Sequence, residues 1–164
     1  MTQKTTAILT LVAASVTAAT LALALGSSAV AAPARSPSLE EKEFFAEAQK
    51  SLDEKAKTVN EKCGTTITAR IDVDSFVQAD AGTTGIKHPC ENALLAVGEV
   101  CRTDEGKKTV AEKITSYTCR HTASDSQAEL SKKQLIAHVN PKSGAIKGKK
   151  PGSYSWLSAV KELL

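Results

Sequence analysis

The spacing of four cysteines limits the folds open to this 164-residue chain more than any other feature of its sequence. Cys90 and Cys101 lie eleven positions apart in the stretch HPCENALLAVGEVC, whose apolar residues recur at helical intervals. At about 1.5 Å of rise per residue, their Cα atoms would stand roughly 16 Å apart on a continuous helix, whereas a disulfide needs about 7 Å or less. These two cysteines therefore cannot bond to each other.

Two disulfide pairings remain. One joins Cys63 to Cys90 and Cys101 to Cys119, and the other joins Cys63 to Cys101 and Cys90 to Cys119. Both stay open on the sequence alone, and we favour the first. In either case the bridges would tie the helix to the helix before it and to the sheet after it, at a gain on the order of 2–4 kcal/mol per bridge.

The N-terminus has the layout of a secretory signal peptide. Lys4 stands in a short polar start, residues 7–25 are largely apolar, and small residues follow up to Ala31. We predict cleavage after Ala31 or Ala32, which removes residues 1–31. A retained membrane anchor is the competing interpretation, but the apolar run consists largely of Ala and Thr and leads directly into a cleavage-type sequence. The mature protein is expected to be secreted or periplasmic, with no stable membrane span.

Disulfides are the expected state of four cysteines in a small exported chain. A zinc site would need close ligand pairs such as C-x-x-C, and none occurs. A nucleophilic cysteine would need exposure and a nearby histidine, whereas all four cysteines lie on predicted inner faces. We therefore predict two structural disulfides, no metal site and no cofactor.

Hydrophobic periodicity predicts one α+β domain over residues 39–164, preceded by a flexible leader at residues 32–38. A first helix is expected to begin after the capping-box pair Ser38 and Glu41 and to end at Cys63. A strand with one buried face follows at residues 66–73. Residues 74–88 are rich in Gly, Thr, Asp and Ala and are predicted to form a long exposed loop, after which Pro89 begins the second helix.

The C-terminal half is predicted to contain a short helix at residues 108–114 and a strand at residues 115–121. Two further strands, separated by turns, suggest an antiparallel meander. The last helix carries Trp156 and Val160 on one apolar face. The expected fold is thus an antiparallel sheet of about four strands, packed against three or four helices and stabilised by two disulfides.

The string CENALLAVGEVC, followed by EGKKTVAEKI and by the cysteine of SYTCR, resembles a pattern in uncharacterised exported bacterial proteins with four cysteines. The resemblance covers roughly the middle third of the chain. It implies export and this type of fold. Those proteins have no assigned activity, so the resemblance implies no mechanism.

Three aspartates near the end of the first strand are candidate binding residues: Asp72, Asp74 and Asp80. Asp72 and Asp74 resemble the start of a calcium loop, but Phe76 takes the next ligand position. The pair could also act as general acid and base in a hydrolase, with a histidine brought near by the fold. Solvated surface acids are the simpler alternative.

Lysines form the densest charge cluster, in the loop that carries Lys147, Lys149 and Lys150. These side chains would suit an anionic envelope polymer or lipid headgroup, while a solvated connector before the last helix is the simpler interpretation. The histidines, His88, His121 and His138, lack metal-binding spacing. The common sequence motifs of hydrolases and nucleotide-dependent enzymes are missing.

These observations favour an exported, non-enzymatic domain of the binding or inhibitor type, with the loop at residues 74–88 as the main contact region. Its partner is expected to be an unidentified macromolecule or envelope component. A secreted hydrolase using Asp72 and Asp74, or a structural envelope protein, are the alternatives. The formal net charge of +3, about +2 after signal removal, and an aromatic content of 4% give no reason to expect nucleic acid as a partner.

Overall fold

The structure, a computed structural model, describes residues 35–148 and 155–164. The predicted signal peptide, residues 32–34 of the predicted leader, Lys149 and Lys150 lie outside the described residues. The described helices are α1 (Leu39–Cys63), α2 (Val73–Gln78), α3 (Lys87–Val100), α4 (Asp104–Lys113) and α5 (Ser155–Leu163). The described strands are β1 (Thr68–Ile71), β2 (Ser116–His121), β3 (Gln127–Ser131) and β4 (Gln134–Val139).

Helix α1 begins and ends where its sequence predicts. The Ser38 hydroxyl accepts from the Glu41 backbone N–H at 3.2 Å, and the Glu41 carboxylate accepts from the Ser38 backbone N–H at 2.8 Å. Gly64 ends the helix in the left-handed conformation with φ of 67°, which glycine adopts without steric cost. The helix between them turns one stripe toward the core, formed by Phe45, Ala48, Leu52, Ala56, Val59 and Cys63.

The four strands form one mixed sheet in the order β1-β2-β4-β3. β1 and β4 both run parallel to β2, and only β3 and β4 are antiparallel. The α+β class and the two disulfides are confirmed, but the predicted antiparallel meander is wrong. The chain reverses at Lys132 and Lys133, both with positive φ, so β3 and β4 pair in antiparallel directions. It is β4, and not β3, that lies beside β2.

The region between β1 and α3 is more ordered than the predicted loop at residues 74–88. Asp72 is the N-cap of α2, since its carboxylate accepts from the Ser75 backbone N–H at 3.3 Å. Phe76 and Val77 of this short helix are buried. The predicted strand therefore ends at Ile71, and the loop between α2 and α3 covers residues 79–86.

The disulfides join Cys63 to Cys101 and Cys90 to Cys119, with Cα separations of 5.2 and 5.5 Å. The pairing that we favoured from the sequence is wrong, and the second pairing is present. The reason is the relative direction of α1 and α3. Hydrogen bonds between Ser51 and Glu91 and between Lys62 and Glu99 show that both helices run the same way, which brings their C-terminal ends together at Cys63 and Cys101.

The core lies between the helices and one face of the sheet. Tyr117 is fully buried there, and its hydroxyl donates to the Cys90 carbonyl at 2.7 Å. Burial raises the pKa of Tyr117 well above its usual range. On α5, Val160 is buried and Trp156 is partly buried against the same core. The Cys90–Cys119 bridge thus joins α3 directly to the core-facing side of β2.

Candidate functional site

One face of the sheet points away from the core, and we call it the open face. Side chains of a strand alternate between the two faces, so the neighbours of the buried residues Tyr117, Leu135 and Ala137 point outward. The strand register aligns eleven of these outward residues in three rows, and Asp72, which follows β1 directly, joins the upper row through its ion pair with Arg120. The lower row is Thr68, Ser116, Gln134 and Ser131; the middle row is Arg70, Thr118, Ile136 and Glu129; the upper row is Asp72, Arg120, His138 and Gln127.

A hydrogen-bond network fixes the middle of the open face. Arg70 Nε donates to Thr118 Oγ1 at 3.1 Å, and Gln134 Nε2 donates to the same oxygen at 2.9 Å. Thr118 is only 4% exposed although it points away from the core. Its burial indicates that neighbouring side chains, including these two donors, cover it. The outer surfaces of β1, β2 and β4 are therefore linked through one hydroxyl group.

Charges on the open face are balanced. Arg120 Nη2 lies 3.3 Å from Asp72 Oδ2, and His138 Nε2 lies 3.2 Å from Glu129 Oε2. With Arg70 included, the face carries two arginines and two carboxylates, and its formal charge is zero while His138 is neutral. A neutral face does not favour nucleic acid or another strongly anionic polymer.

Ile136 is the one aliphatic residue among the twelve residues of the open face, and it lies in the middle row. Sequence reasoning did not select Ile136, Arg70, Thr118 or Gln134 as site residues. The available signal was the outward position of each residue in its own alternating strand. That signal does not show which outward residues become neighbours, because neighbours come from strands distant in the sequence.

Two of the three predicted aspartates lie around one shallow cavity of about 340 Å³, which is also lined by Arg70. Asp72 caps α2 and pairs with Arg120, and Asp74 lies exposed in the first turn of α2. Asp80 lines a different cavity and pairs with Arg35 at 3.4 Å. Within residues 35–148 and 155–164, no group of three or more His, Cys, Asp or Glu residues could hold a metal ion.

The residue types of a hydrolytic triad also meet near the end of β2, but their contacts are structural. Ser75 Oγ donates to the Asp72 backbone carbonyl at 2.7 Å and accepts from the His121 backbone N–H at 2.8 Å. The His121 ring packs edge-on against Phe76, with a centroid distance of 5.8 Å. The Ser75 hydroxyl therefore connects α2 to β2, and its proton is directed to a backbone carbonyl rather than to a general base.

His121 is a poor general base for a second reason. Burial against Phe76 and, to a smaller extent, the positive charge of Lys142 lower the pKa of the His121 imidazole. Asp72 cannot offset these effects from its observed position, because it turns to Arg120 on the open face while the His121 ring lies on the core side. The geometry does not form the carboxylate and histidine pair that the hydrolase alternative requires.

The two loops that the sequence singled out come together beyond the upper row. Gly85, with φ of 80°, approaches the next loop so closely that an added Cβ would lie 3.1 Å from the Pro141 carbonyl oxygen. The segment 79–86 thus lies against the start of the basic loop. Lys147 of that loop is exposed, while Lys149 and Lys150 are outside the described residues.

Comparison with protein-family models, with curated proteins and with solved structures finds no match for this chain. None of the helices in the described part of the chain is long and apolar enough to cross a membrane. Two formed disulfides are consistent with an extracellular or other oxidising compartment.

Proposed function

We propose that this protein is an exported, non-enzymatic binding domain whose contact surface is the open face of the sheet. The observation that carries the proposal is the fixed network of Arg70, Thr118 and Gln134 beside Ile136. An apolar centre within a polar rim is the usual arrangement of a protein-binding surface. The partner is a macromolecule or envelope component outside the cytoplasm.

Rigidity supports this proposal. The Cys90–Cys119 bridge and the Tyr117 hydrogen bond to Cys90 hold β2 onto α3 from the core side. On the other side, the Thr118 hydroxyl links three strands. Side chains that are already ordered lose less conformational entropy on association, and a larger share of the contact energy then appears as affinity.

The proposed contact surface differs from the loop at residues 74–88 that the sequence favoured. Part of that segment is α2, whose Phe76 and Val77 belong to the core. The remaining loop at residues 79–86 lies against Pro141, beyond the end of β4, and can serve as a secondary contact. The hydrolase alternative is less well supported because the Ser75, Asp72 and His121 contacts are structural.

Export is part of the proposal and has its own test. Protein produced in an exporting bacterial host is expected to lack residues 1–31 and to weigh four hydrogens less than the reduced chain. Intact mass and a non-reducing peptide map measure both. A retained N-terminus or free thiols would contradict export to an oxidising compartment.

Site-specific photocrosslinking tests the contact surface. A benzoylphenylalanine residue replaces Ile136 on the open face, and a matched variant carries it at Lys108, an exposed residue of α4 on the helical side. Irradiation of cells that export the protein should give a covalent adduct with another macromolecule from position 136 only. An excess of unmodified protein should suppress an adduct with a different macromolecule, because the two forms of the protein compete for it. Equal adducts from both positions, or none from position 136, would contradict the proposed surface.

A further inference from the structure

The open face carries opposite charges on its two edge strands. Arg70 on β1 and Glu129 on β3 belong to the same row, because the register runs from Arg70 through Thr118 and Ile136 to Glu129. Three strand spacings of about 4.8 Å place their Cα atoms roughly 14 Å apart. The two side chains therefore do not neutralise each other directly within one copy of the chain.

We propose that a second copy of this chain binds the open face, so that two copies pack face to face around a two-fold axis parallel to the strands. The axis passes between β2 and β4. The rotation lays β1 of one copy over β3 of the other and β2 over β4. Arg70 then faces Glu129 of the second copy, and the symmetry makes this contact twice. Packed sheets lie about 10 Å apart, a gap that extended arginine and glutamate side chains can span.

The same rotation places compatible residues opposite each other in the rest of the middle and lower rows. Thr118 lies over Ile136 of the second copy, so both isoleucines meet at the centre of the interface. In the lower row, Thr68 lies over Ser131 and Ser116 over Gln134. These residues carry no charge and can exchange hydrogen bonds where they meet.

The upper row tolerates the same arrangement. Asp72 lies over Gln127 of the second copy, and Arg120 lies over His138. The charge of Arg120 is already paired with Asp72 in its own copy, at 3.3 Å. While His138 is neutral, no two like charges are brought face to face in any of the three rows.

Charge favours a second copy over an anionic or cationic partner. A face with two arginines and two carboxylates has no net attraction for a polymer of either sign. Its charges instead complement a copy of the same face, which is what a two-fold interface requires. The dimer deepens the proposed function, because it names an occupant of the open face. It depends on that function only in that both use this surface.

The area of the open face limits the affinity that we expect for the dimer. Four strands of about five residues cover on the order of 300 Å² per copy, less than half of what each side of a stable complex buries. We therefore expect a reversible dimer whose population rises with concentration, and whose formation weakens as salt screens the Arg70–Glu129 contacts.

Analytical ultracentrifugation of the processed, oxidised protein between about 5 and about 500 μM tests the proposal, a range that covers weak dissociation constants. The wild type should pass from one copy toward two. Arg70→Glu and Glu129→Arg each place like charges opposite one another twice, and each should raise the dissociation constant at least about tenfold. The double variant exchanges the two charges and should restore association to within about threefold of the wild type.

Matched controls are Lys108→Glu and Glu112→Lys, which make the same charge changes on exposed residues of α4. Both should associate like the wild type, and thermal melting confirms that each variant is folded. A wild type that stays monomeric at the highest concentration overturns the dimer. So does a double variant that associates as weakly as the singles. Since these experiments need no other macromolecule, their failure leaves the photocrosslinking result at position 136 as an independent test of the proposed function.

Discussion

At the residue scale, position 106 in the first turn of α4 has no room for a side chain and is occupied by glycine. A Cβ added to Gly106 would lie 1.9 Å from the carbonyl oxygen of Val100 and 3.1 Å from the Thr103 hydroxyl oxygen. The neighbour at 1.9 Å is backbone, which cannot move aside as the end of a side chain can. The close approach also lets the Gly106 N–H donate to the Thr103 hydroxyl that caps the helix.

Gly106→Ala is accordingly expected to lower the free energy of unfolding by about 2–3 kcal/mol, as overpacking against fixed atoms does. Gly144→Ala is the matched control, because nothing lies within 4 Å of an added Cβ there. The control should stay within about 0.5 kcal/mol of the wild type. Urea unfolding followed by circular dichroism measures both variants, and equal stabilities would show that the backbone around Gly106 can move.

Glu41 is the residue whose ionisation the fold changes most clearly among the described carboxylates. Its hydrogen bonds with the Arg35 guanidinium, first, and with the Ser38 backbone N–H, second, lower its pKa from 4.5 to about 2. Because the folded pKa is the lower one, this contribution to stability is complete above pH 4.5 and is lost as the pH falls toward 2.

A carboxyl ¹³C NMR titration should therefore find the Glu41 midpoint near pH 2. Arg35→Gln should move the midpoint up toward 4.5, and Ser38→Ala should move it less, because the Ser38 backbone N–H still donates. A midpoint that Arg35→Gln leaves unchanged would contradict the assigned cause. Ser38→Ala should also cost about 1 kcal/mol of stability through the lost N-cap.

At the element scale, α1 covers the outer edge of β1 with two side-chain amides. Asn60 accepts from the Ile67 backbone N–H at 2.7 Å and donates to the Ile67 carbonyl at 2.9 Å. Gln49 does the same with the Ile71 N–H at 2.8 Å and the Ala69 carbonyl at 3.0 Å. These bonds satisfy edge groups that would otherwise be free to pair with a strand of another chain.

Hydrogen exchange can separate the two contacts. Asn60→Ala should speed exchange of the Ile67 amide proton at least about tenfold and leave that of Ile71 nearly unchanged, while Gln49→Ala should do the reverse. Each variant is thus the control for the other. Equal acceleration of both amides in both variants would mean that β1 opens as a unit, independently of either side chain.

Local patterns predicted α1 well because the information it needs is local, whereas α4 begins at Asp104, four residues before the helix predicted at residues 108–114. The Ser38 and Glu41 pair, Gly64 and the apolar stripe ending at Cys63 all act within a few residues of one another, and they place α1 correctly. Helix α2 was missed because it has only six residues, and its signal is the single cap from Asp72 to Ser75. A helix this short shows too few turns for its periodicity to stand out.

Strand neighbours and disulfide partners could not be predicted in the same way. Alternation gives the buried face of β2, but it does not say that β4 rather than β3 lies beside it. Likewise, the helical spacing of Cys90 and Cys101 rules out their bond, whereas the choice of partner depends on α1 and α3 running in the same direction. The open face depends on both of these long-range features.

At the scale of the whole molecule, the two disulfides close loops of similar length. The sequence separations are 38 for Cys63–Cys101 and 29 for Cys90–Cys119. Loop-closure entropy predicts a stabilisation on the order of 3–4 kcal/mol for each bridge, nearly the same for both. A large difference between them must therefore come from the folded state.

The paired variants Cys63→Ala with Cys101→Ala and Cys90→Ala with Cys119→Ala should each lose about 3–4 kcal/mol in guanidinium unfolding. The second pair should also speed amide exchange in β2, since only that bridge attaches β2 to α3. Equal exchange in β2 for the two variants would show that packing around Tyr117 holds the strand without the bridge.

The two bridges interleave along the chain, because Cys90 lies inside the loop closed by Cys63 and Cys101, and Cys101 lies inside the other loop. A chain that meets an oxidant from its N-terminus onward brings Cys63 and Cys90 together as its first two thiols, and these two are not native partners. That first bond must be exchanged by attack of another cysteine thiolate before the native bridges can form. If Cys63 and Cys90 bond first in this way, maturation requires reshuffling as well as oxidation, and a host that supplies an oxidant without an isomerase is expected to accumulate the mispaired chain.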